Sequence, residues 1–407
     1  MGERKLSKAA RFERMFKIWE YLKKNTDKDH PTTQAEMRES LDEFMGDKET
    51  FNRLIKDMAY IMNSDEHGYK REEDWKIYFH DFKKIYGDAA EDYDEEAKFD
   101  RDEEYEGFAD RSMRIKGLYY NRTFSYDEIN SIIEGILSTK TLDTKSAGRL
   151  IEKVEQNLTT KFYKKGAKQI CKVMEPELAD REQLRINLLT IQKAIDNNVR
   201  ISFRFNGYTY QKKLEPVKDR KDMVSPYYIV ASGGRYYLLA CKEVLIKGEK
   251  VKNMSIWRID LMTDIEIPGI NEQMKVMGIP RIPKKDVDNL PMEWTEDFQL
   301  KHLNMFYDKP IWITLKIKSP KQEDDPARRN KADYTFLHDW FGDNFRYVKT
   351  EKTAPYDDIV KVECSPLAMV HWALQYSDRV EVVAPEGVRN DVIGKIKALS
   401  AKYGLEK

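Results

Sequence analysis

The chain has 407 residues, enough for two to four domains that each bury a core of their own. Lys plus Arg and Asp plus Glu both number 71, which excludes a uniformly basic nucleic-acid coat and an acidic solvating protein, so any basic surface has to be local. Charged residues at 35% beside hydrophobic ones at 41% fit folded, water-facing domains. No stretch approaches the roughly 18 uninterrupted apolar residues of a membrane span, and a cytoplasmic protein is expected.

Phe12, Met15, Phe16, Trp19 and Leu22 recur at helical spacing and predict a first helix with these residues inward. Thr33 and Glu36 form a capping box for a second, with Met37, Leu41 and Phe44 on one side and Gly46 at its end. Residues 48 to 60 predict a third, with Phe51, Leu54, Ile55 and Met58 inward and Glu49, Arg53, Lys56 and Tyr60 outward. Such a succession spells a helix-turn-helix. The Gly68 turn and the segment from Trp75 to Phe82 predict a β-hairpin wing, which completes a winged helix-turn-helix over residues 1–85. Lys48, Glu49, Thr50, Asn52, Arg53 and Lys56 are its candidate DNA contacts. The cations would reach phosphates or guanine edges, and Glu49 can accept from cytosine although it also repels phosphates.

Acidic residues crowd the span from Asp88 to Glu106 with little to bury, which predicts a solvated linker over 86–112. Ser125 and Glu128 then cap a stripe of Ile129, Ile132, Ile133 and Ile136, and Ala147, Leu150, Ile151, Val154 and Leu158 form another, predicting a helical connector or dimerisation element over 113–180. A helix carrying Leu184, Leu188, Ile191 and Ile195 leads into alternating sequence at Ile201, Phe203 and Phe205, with Asn206 and Gly207 as a tight turn. Val224 to Val230, Tyr236 to Ala240 across Gly233 and Gly234, and Ser255 to Leu261 are further strands. Short strands with glycine turns predict a small SH3-like antiparallel β-barrel over 181–270. Residues 271–310 link it to a compact α+β domain over 311–407, with a strand from Ile311 to Ile317, a helix from Pro366 to Tyr376, a strand from Val380 to Val383 and a closing helix from Arg389 to Tyr403. The fold class is thus α+β and multidomain.

Along this order run Met223 to Tyr227 with a Ser-Pro-Tyr centre, the triplet Tyr236, Tyr237 and Leu238 after a Gly-Gly-Arg turn, and Trp257 to Asp260 with an Arg-x-Asp core. Trp340 to Gly342 and His371 with Trp372 follow before the strand at Val380. In these motifs, their order and their company with a helix-turn-helix, the chain resembles the WYL-domain transcriptional regulators, with tyrosine in the place of the triplet's tryptophan. The resemblance implies that the barrel binds a nucleic acid or nucleotide-like ligand and passes the signal to the DNA-binding domain. Family members often carry a second arginine after the aspartate, where this chain has Leu261.

Arg204, Ser225, Tyr227, Arg235, Tyr236, Arg258 and Asp260 are the candidate ligand contacts, because tyrosine can stack a base while a guanidinium holds a phosphate. Arg258 and Asp260 would share a strand face by period two, as a pocket lining or as an ion pair. Tyr237 and Leu238 read as core. The partners expected are operator DNA, read as a homodimer, and a nucleotide or oligonucleotide. The alternative is a nucleic-acid-binding accessory or scaffold protein, for example in antiphage defence, whose barrel binds single strands. Cys171, Cys241 and Cys364 are far apart, and the six histidines form no ligand-spaced cluster, so no metal is expected. With no Gly-rich phosphate loop and no nucleophile elbow, neither a cofactor nor an enzymatic activity is expected.

Overall fold

In the computed structural model, the described residues are 8–41, 48–91, 114–164, 181–271, 276–318, 334–353 and 355–405. The chain divides into two units, residues 1–175 and 176–407. Its fold is α+β, with helices set against curled antiparallel sheets.

The first unit opens with α1 (Lys8–Asn25), α2 (Gln34–Leu41) and α3 (Lys48–Asn63). The α2 capping box forms, Glu36 N–H donating to Thr33 Oγ1 and Thr33 N–H to Glu36 Oε2. Phe44, Gly46 and the rest of the turn before α3 lie outside the described residues. The inward face of α1 is rotated from the expected one. Ile18 and Leu22 are fully buried, whereas Phe12 and Phe16 are 74% and 47% exposed. In α3 burial is unbroken from Leu54 to Tyr60. Lys56 and Tyr60, expected outward, are 5% and 4% exposed, because α1 and an aromatic group of Tyr69, Trp75, Phe79 and Phe82 enclose the same helix.

β1 (Ser64–Asp65) and β2 (Gly68–Tyr69) form a minimal hairpin. The expected wing strand from Trp75 to Phe82 is corrected. Only Ile77–Tyr78 (β3) is extended, and it pairs with Tyr119–Tyr120 (β4) rather than with its own hairpin, while His80–Glu91 is helix α4. The period changes here: Phe79, Phe82 and Tyr86 recur at helical spacing and pack together, with ring centroids 5.5 and 5.1 Å apart. Of the expected acidic linker, 86–91 end α4 and 92–112 lie outside the described residues.

α5 (Tyr126–Ser138), with the predicted Ser125–Glu128 capping box, packs on α6 (Thr144–Leu158). The pair is fastened to the N-terminal helices through Asp27, which accepts from Tyr126 Oη and His30 Nδ1, both at 2.8 Å. Burial pushes the Asp27 carboxyl up, but the bonds from Tyr126 and His30 outweigh it and hold the group below the ordinary carboxylate range.

The second unit begins with α7 (Arg181–Asp196), whose Leu184, Ile191 and Ala194 pack on a six-stranded curled sheet. Its strands are β5 (Ile201–Tyr208), β6 (Leu214–Pro216), β7 (Asp222–Ser232), β8 (Arg235–Ile246), β9 (Glu249–Arg258) and β10 (Met262–Glu266). The order β10-β5-β7-β8-β9, with β6 against β5, leaves a half-barrel in place of the closed barrel expected. Gly233 and Gly234, at φ of 54° and 73°, make the β7–β8 turn, which needs positive φ at both positions. Asn206 and Gly207 are no turn. They lie inside β5, and the chain reverses at Thr209 to Lys213, where Lys212 carries a φ of 63°.

After the short pair β11 (Ile270–Asn271) and β12 (Val276–Met277), residues 280–305 cross the outer face of the curled sheet, burying Ile282, Val287, Leu290 and Phe298 against Tyr227, Leu239 and Met254. This stretch holds the short helix α8 (Phe298–Lys301). The C-terminal part runs β13 (Ile311–Ile317), α9 (Thr335–Phe341), β14 (Arg346–Thr350), β15 (Asp358–Cys364), α10 (Pro366–Gln375), β16 (Val380–Ala384) and α11 (Glu386–Lys402). All pairs are antiparallel in the order β14-β15-β13-β16, which is the split βαββαβ arrangement of ferredoxin-like domains.

Asn63, fully buried, donates to Ile77 O at 2.6 Å and accepts from Lys76 N–H at 2.8 Å and Ile77 N–H at 3.0 Å. Asn63→Ala orphans these groups and is expected to cost about 2–4 kcal/mol in urea unfolding; a loss near zero would show that α3 and β3 are not tied there. His302, 4% exposed, stacks on Phe298 at 4.2 Å and donates through Nδ1 to Phe306 O at 2.8 Å. Burial holds its imidazole below the usual range. The unfolded ring therefore takes up its proton first, at about pH 6.5, and stability falls as pH drops through that value. His302→Gln should lessen that acid sensitivity, as read from unfolding midpoints near pH 7 and pH 5.

Candidate functional site

The outer face of the β8–β9 hairpin gathers the candidate ligand groups. β9 ends at Arg258, and Ile259–Leu261 turn as one 3-10 helix before β10. Asp260 therefore does not share a strand with Arg258 by period two, as expected; the turn carries it back beneath the arginine. Arg258 Nε donates to Asp260 Oδ1 at 3.2 Å and its Nη2 to Oδ2 at 2.5 Å, a two-pronged pair with the carboxylate side chain 3% exposed. These bonds raise the arginine's pKa further.

Two buried amides fix the turn. Asn187 Nδ2 donates to Ile259 O at 3.0 Å and Met262 O at 2.8 Å, and Asn206 Nδ2 donates to Leu261 O and Thr263 Oγ1, both at 3.0 Å. Leu261 is buried in the turn and contributes nothing polar beyond its backbone.

Tyr237 lies directly across from Arg258 in the β8–β9 ladder, and Tyr208 and Tyr237 both bear on the arginine's charge. Arg235 is two residues before Tyr237 and so on the same face. Its Nε is shielded from solvent and meets no acceptor among the described residues. The face thus offers two guanidinium groups beside an aromatic ring. The tyrosine is the neighbour of the expected one, since Tyr236 points the other way and packs with Trp257 on the core facing α7.

The remaining ligand candidates are engaged elsewhere. Arg204 bridges to Asp264 at 3.0 Å and donates to Asp219 O at 3.0 Å. Ser225 Oγ accepts from Ile282 N–H at 3.1 Å, and Tyr227 Oη donates to Ile282 O at 2.7 Å beneath the Arg281 guanidinium. Both are buried and clamp the crossing segment to the sheet; burial pushes the Tyr227 phenol up to about 12. The signal for this role was the pairing of Ser225 and Tyr227 at i and i+2, which sends both to one face, but the segment they hold lies more than 50 residues downstream.

In the first unit, Lys48 and Arg53 are exposed near the start of α3, Thr50 and Asn52 are half-buried, and Glu49 lies in the first turn. Lys56, expected outward with them, is enclosed, and its neighbour Asp57 pairs with Arg11 of α1.

No family model and no curated protein matches the chain. Several solved structures are similar to it at low identity, two of them as follows. One is Proteasome accessory factor B/C (PafBC) of Arthrobacter aurescens, at 12% identity and a TM-score of 0.22, covering 70% of this chain. The match takes in 38% of that protein, so the chain spans well under half of it. The other is a CRISPR Cas-related protein at 12% identity and a TM-score of 0.30, covering 98% of this chain and 93% of that one. Among the described residues no helix is long and apolar enough to cross a membrane.

Removing the partner of a buried carboxylate leaves a charge uncompensated, so Arg258→Ala is expected to lower stability by about 2 kcal/mol, less than for a fully buried pair because the arginine is partly exposed. Arg258→Gln, which can still donate to Asp260, should lose less than half as much. Equal losses in urea titrations of the two variants would show that the bonds to Asp260 carry no stability.

Proposed function

We propose that the chain is a DNA-binding regulator without catalytic activity: its curled sheet takes a nucleotide or single-stranded oligonucleotide, and its N-terminal unit is a winged helix-turn-helix that reads duplex DNA as a homodimer. The observation that carries the ligand half is the grouping of Arg235, Tyr237 and Arg258 on one face. Two of the five N–H donors of Arg258 are held by Asp260, which fixes the fork and leaves its remaining donors for a phosphate. The Tyr237 ring, half-buried against the cluster around Leu239 and Met254, leaves part of its surface for stacking, and the Arg235 guanidinium on the same face adds a second set of donors. The motifs shared with WYL-domain regulators support the same assignment.

The DNA half is supported by the first turns of α3. A recognition helix touches base edges with its N-terminal residues, and that is where Lys48 and Arg53 are exposed. The buried Lys56 takes no part in this reading.

The test is a gel-shift titration with the protein's own upstream duplex, a scrambled duplex and the oligonucleotide dT12, at two salt concentrations. Lys48→Ala with Arg53→Ala should weaken duplex binding about tenfold and flatten its salt slope by about two. Arg258→Gln with Tyr237→Ala should keep duplex binding and lose the response to dT12. A duplex affinity indifferent to dT12 in the unmodified chain would defeat the sensing role, and tight dT12 binding with no duplex preference would identify an accessory protein instead.

A further inference from the structure

The C-terminal ferredoxin-like sheet is covered by helices on one side. Register assigns its strands' residues: Ile313, Leu315, Ile317, Val360, Val362 and Cys364 are core beneath the helices, whereas Trp312, Thr314, Lys316, Lys361 and Glu363 point to the other face, on which Ile359 is buried among its neighbours. From the edge strand, Arg346 stands opposite Lys361 and Lys349 opposite Ile359, on that same face.

Charges on this face are sorted in a telling way. Each acid has a cation of its own: Glu363 holds Lys301 at 3.1 Å, Glu351 holds Lys316 at 3.3 Å and Glu381 holds Arg389 at 2.8 Å. Arg346, Lys349 and Lys361 have no acidic partner among the described residues. The first lies with its guanidinium carbon 4.4 Å from the centroid of Trp312, a ring left 42% exposed on a central strand. A solvated sheet face explains lysines but not a bare indole with an arginine plane laid on it, because exposing a large aromatic forgoes its burial.

We propose that this open face is a second nucleic-acid surface, on which a single strand stacks a base against the Trp312–Arg346 pair and lays its phosphates along Lys349 and Lys361. Bases stack on aromatic rings and on guanidinium planes alike, flat four-stranded sheets with exposed aromatics are a recurrent single-strand platform, and unpaired cations beside them supply the backbone charge. An acidic peptide would match the cations but would leave the indole without a function, so the complementarity favours a strand of bases. The surface is separate from the Arg258 face and does not depend on the ligand reading made there.

The experiment is fluorescence anisotropy of labelled dT12 and rU12 with the full chain. Trp312→Ala should weaken binding of at least one oligonucleotide about tenfold, with Trp312→Phe retaining most of the affinity. Arg346→Ala with Lys361→Ala should weaken it and lower the salt slope by about 1.4. All these positions are partly or fully exposed, and circular dichroism checks that the variants fold. Wild-type affinity in the Trp312→Ala and Arg346→Ala/Lys361→Ala chains, or equal loss in the Trp312→Phe and Trp312→Ala chains, would overturn the proposal. The Arg258→Gln/Tyr237→Ala chain run alongside separates the two surfaces: binding lost there and intact at Trp312 refutes this face and leaves the curled-sheet reading standing.

Discussion

A turn whose backbone is sealed inside a protein must find donors for its carbonyl groups, and in the second unit that demand is met by two asparagine amides. Ile259, Asp260 and Leu261 are all buried, so the carbonyls of Ile259, Leu261 and Met262 have no access to solvent donors and are bonded instead by Asn187 and Asn206. Each carbonyl left bare would cost on the order of 1–3 kcal/mol, which is enough to unwind so short a turn. Because the turn is fixed, β9 stops at Arg258 and β10 departs toward β5, and the sheet curls without closing. The same turn brings Asp260 beneath Arg258, so the aim of the guanidinium is set by an asparagine on α7 and another on β5, neither of which touches the arginine.

The first unit is governed by a related constraint. α3 is enclosed by α1 and by aromatic side chains, and where a charged residue is caught inside it is compensated: Asp57 finds Arg11. Asn63 then closes the helix by satisfying the backbone of the strand that follows. Burial from Leu54 to Tyr60 closes the middle of this helix to outside partners, which narrows the DNA reading to Lys48 and Arg53 and removes Lys56 from it.

Secondary structure was legible where one period held over a whole element. The capping boxes at Thr33 and Ser125, the strand from Ile311 and the final helix all appear where the sequence predicts them. Reading failed where the period changed within a few residues. Trp75 to Phe82 begins extended and becomes helical at His80, and its strand partner, Tyr119 and Tyr120, lies some forty residues on, a distance no local pattern spans. Asn206 and Gly207 look like a turn by composition, but Asn206 is needed inside the sheet as a donor to Leu261 O. In α1 the stripe from Phe12 to Leu22 followed helical spacing, which several neighbouring faces satisfy, whereas the structure buries the face with Ile18 and Leu22. At the site, Arg258 with Asp260 was visible as a local pair. Arg235 with Tyr237 needed the cross-strand register, which places Tyr237 opposite Arg258 and sends Tyr236 to the other side.

Register also explains how a chain of zero net charge can present basic surfaces. Alternation sends the members of a charged run to opposite faces, and on the C-terminal sheet carboxylates are matched by cations from neighbouring elements, as Glu381 is by Arg389 and Glu363 by Lys301. Two arginines then stand beside aromatic rings: Arg346, with no acidic partner among the described residues, at Trp312, and Arg258, paired with Asp260, opposite Tyr237. They differ in one respect that bears on what each can bind. Arg258 is committed to a buried carboxylate and so offers an anion a rigid but partly neutralised fork, which favours a ligand able to use the remaining donors and the ring together. Among the described residues Arg346 has no such carboxylate and rests on the indole, so its hold on any one geometry is weaker. The first arrangement suits recognition of a defined small ligand, the second suits a strand whose bases are interchangeable.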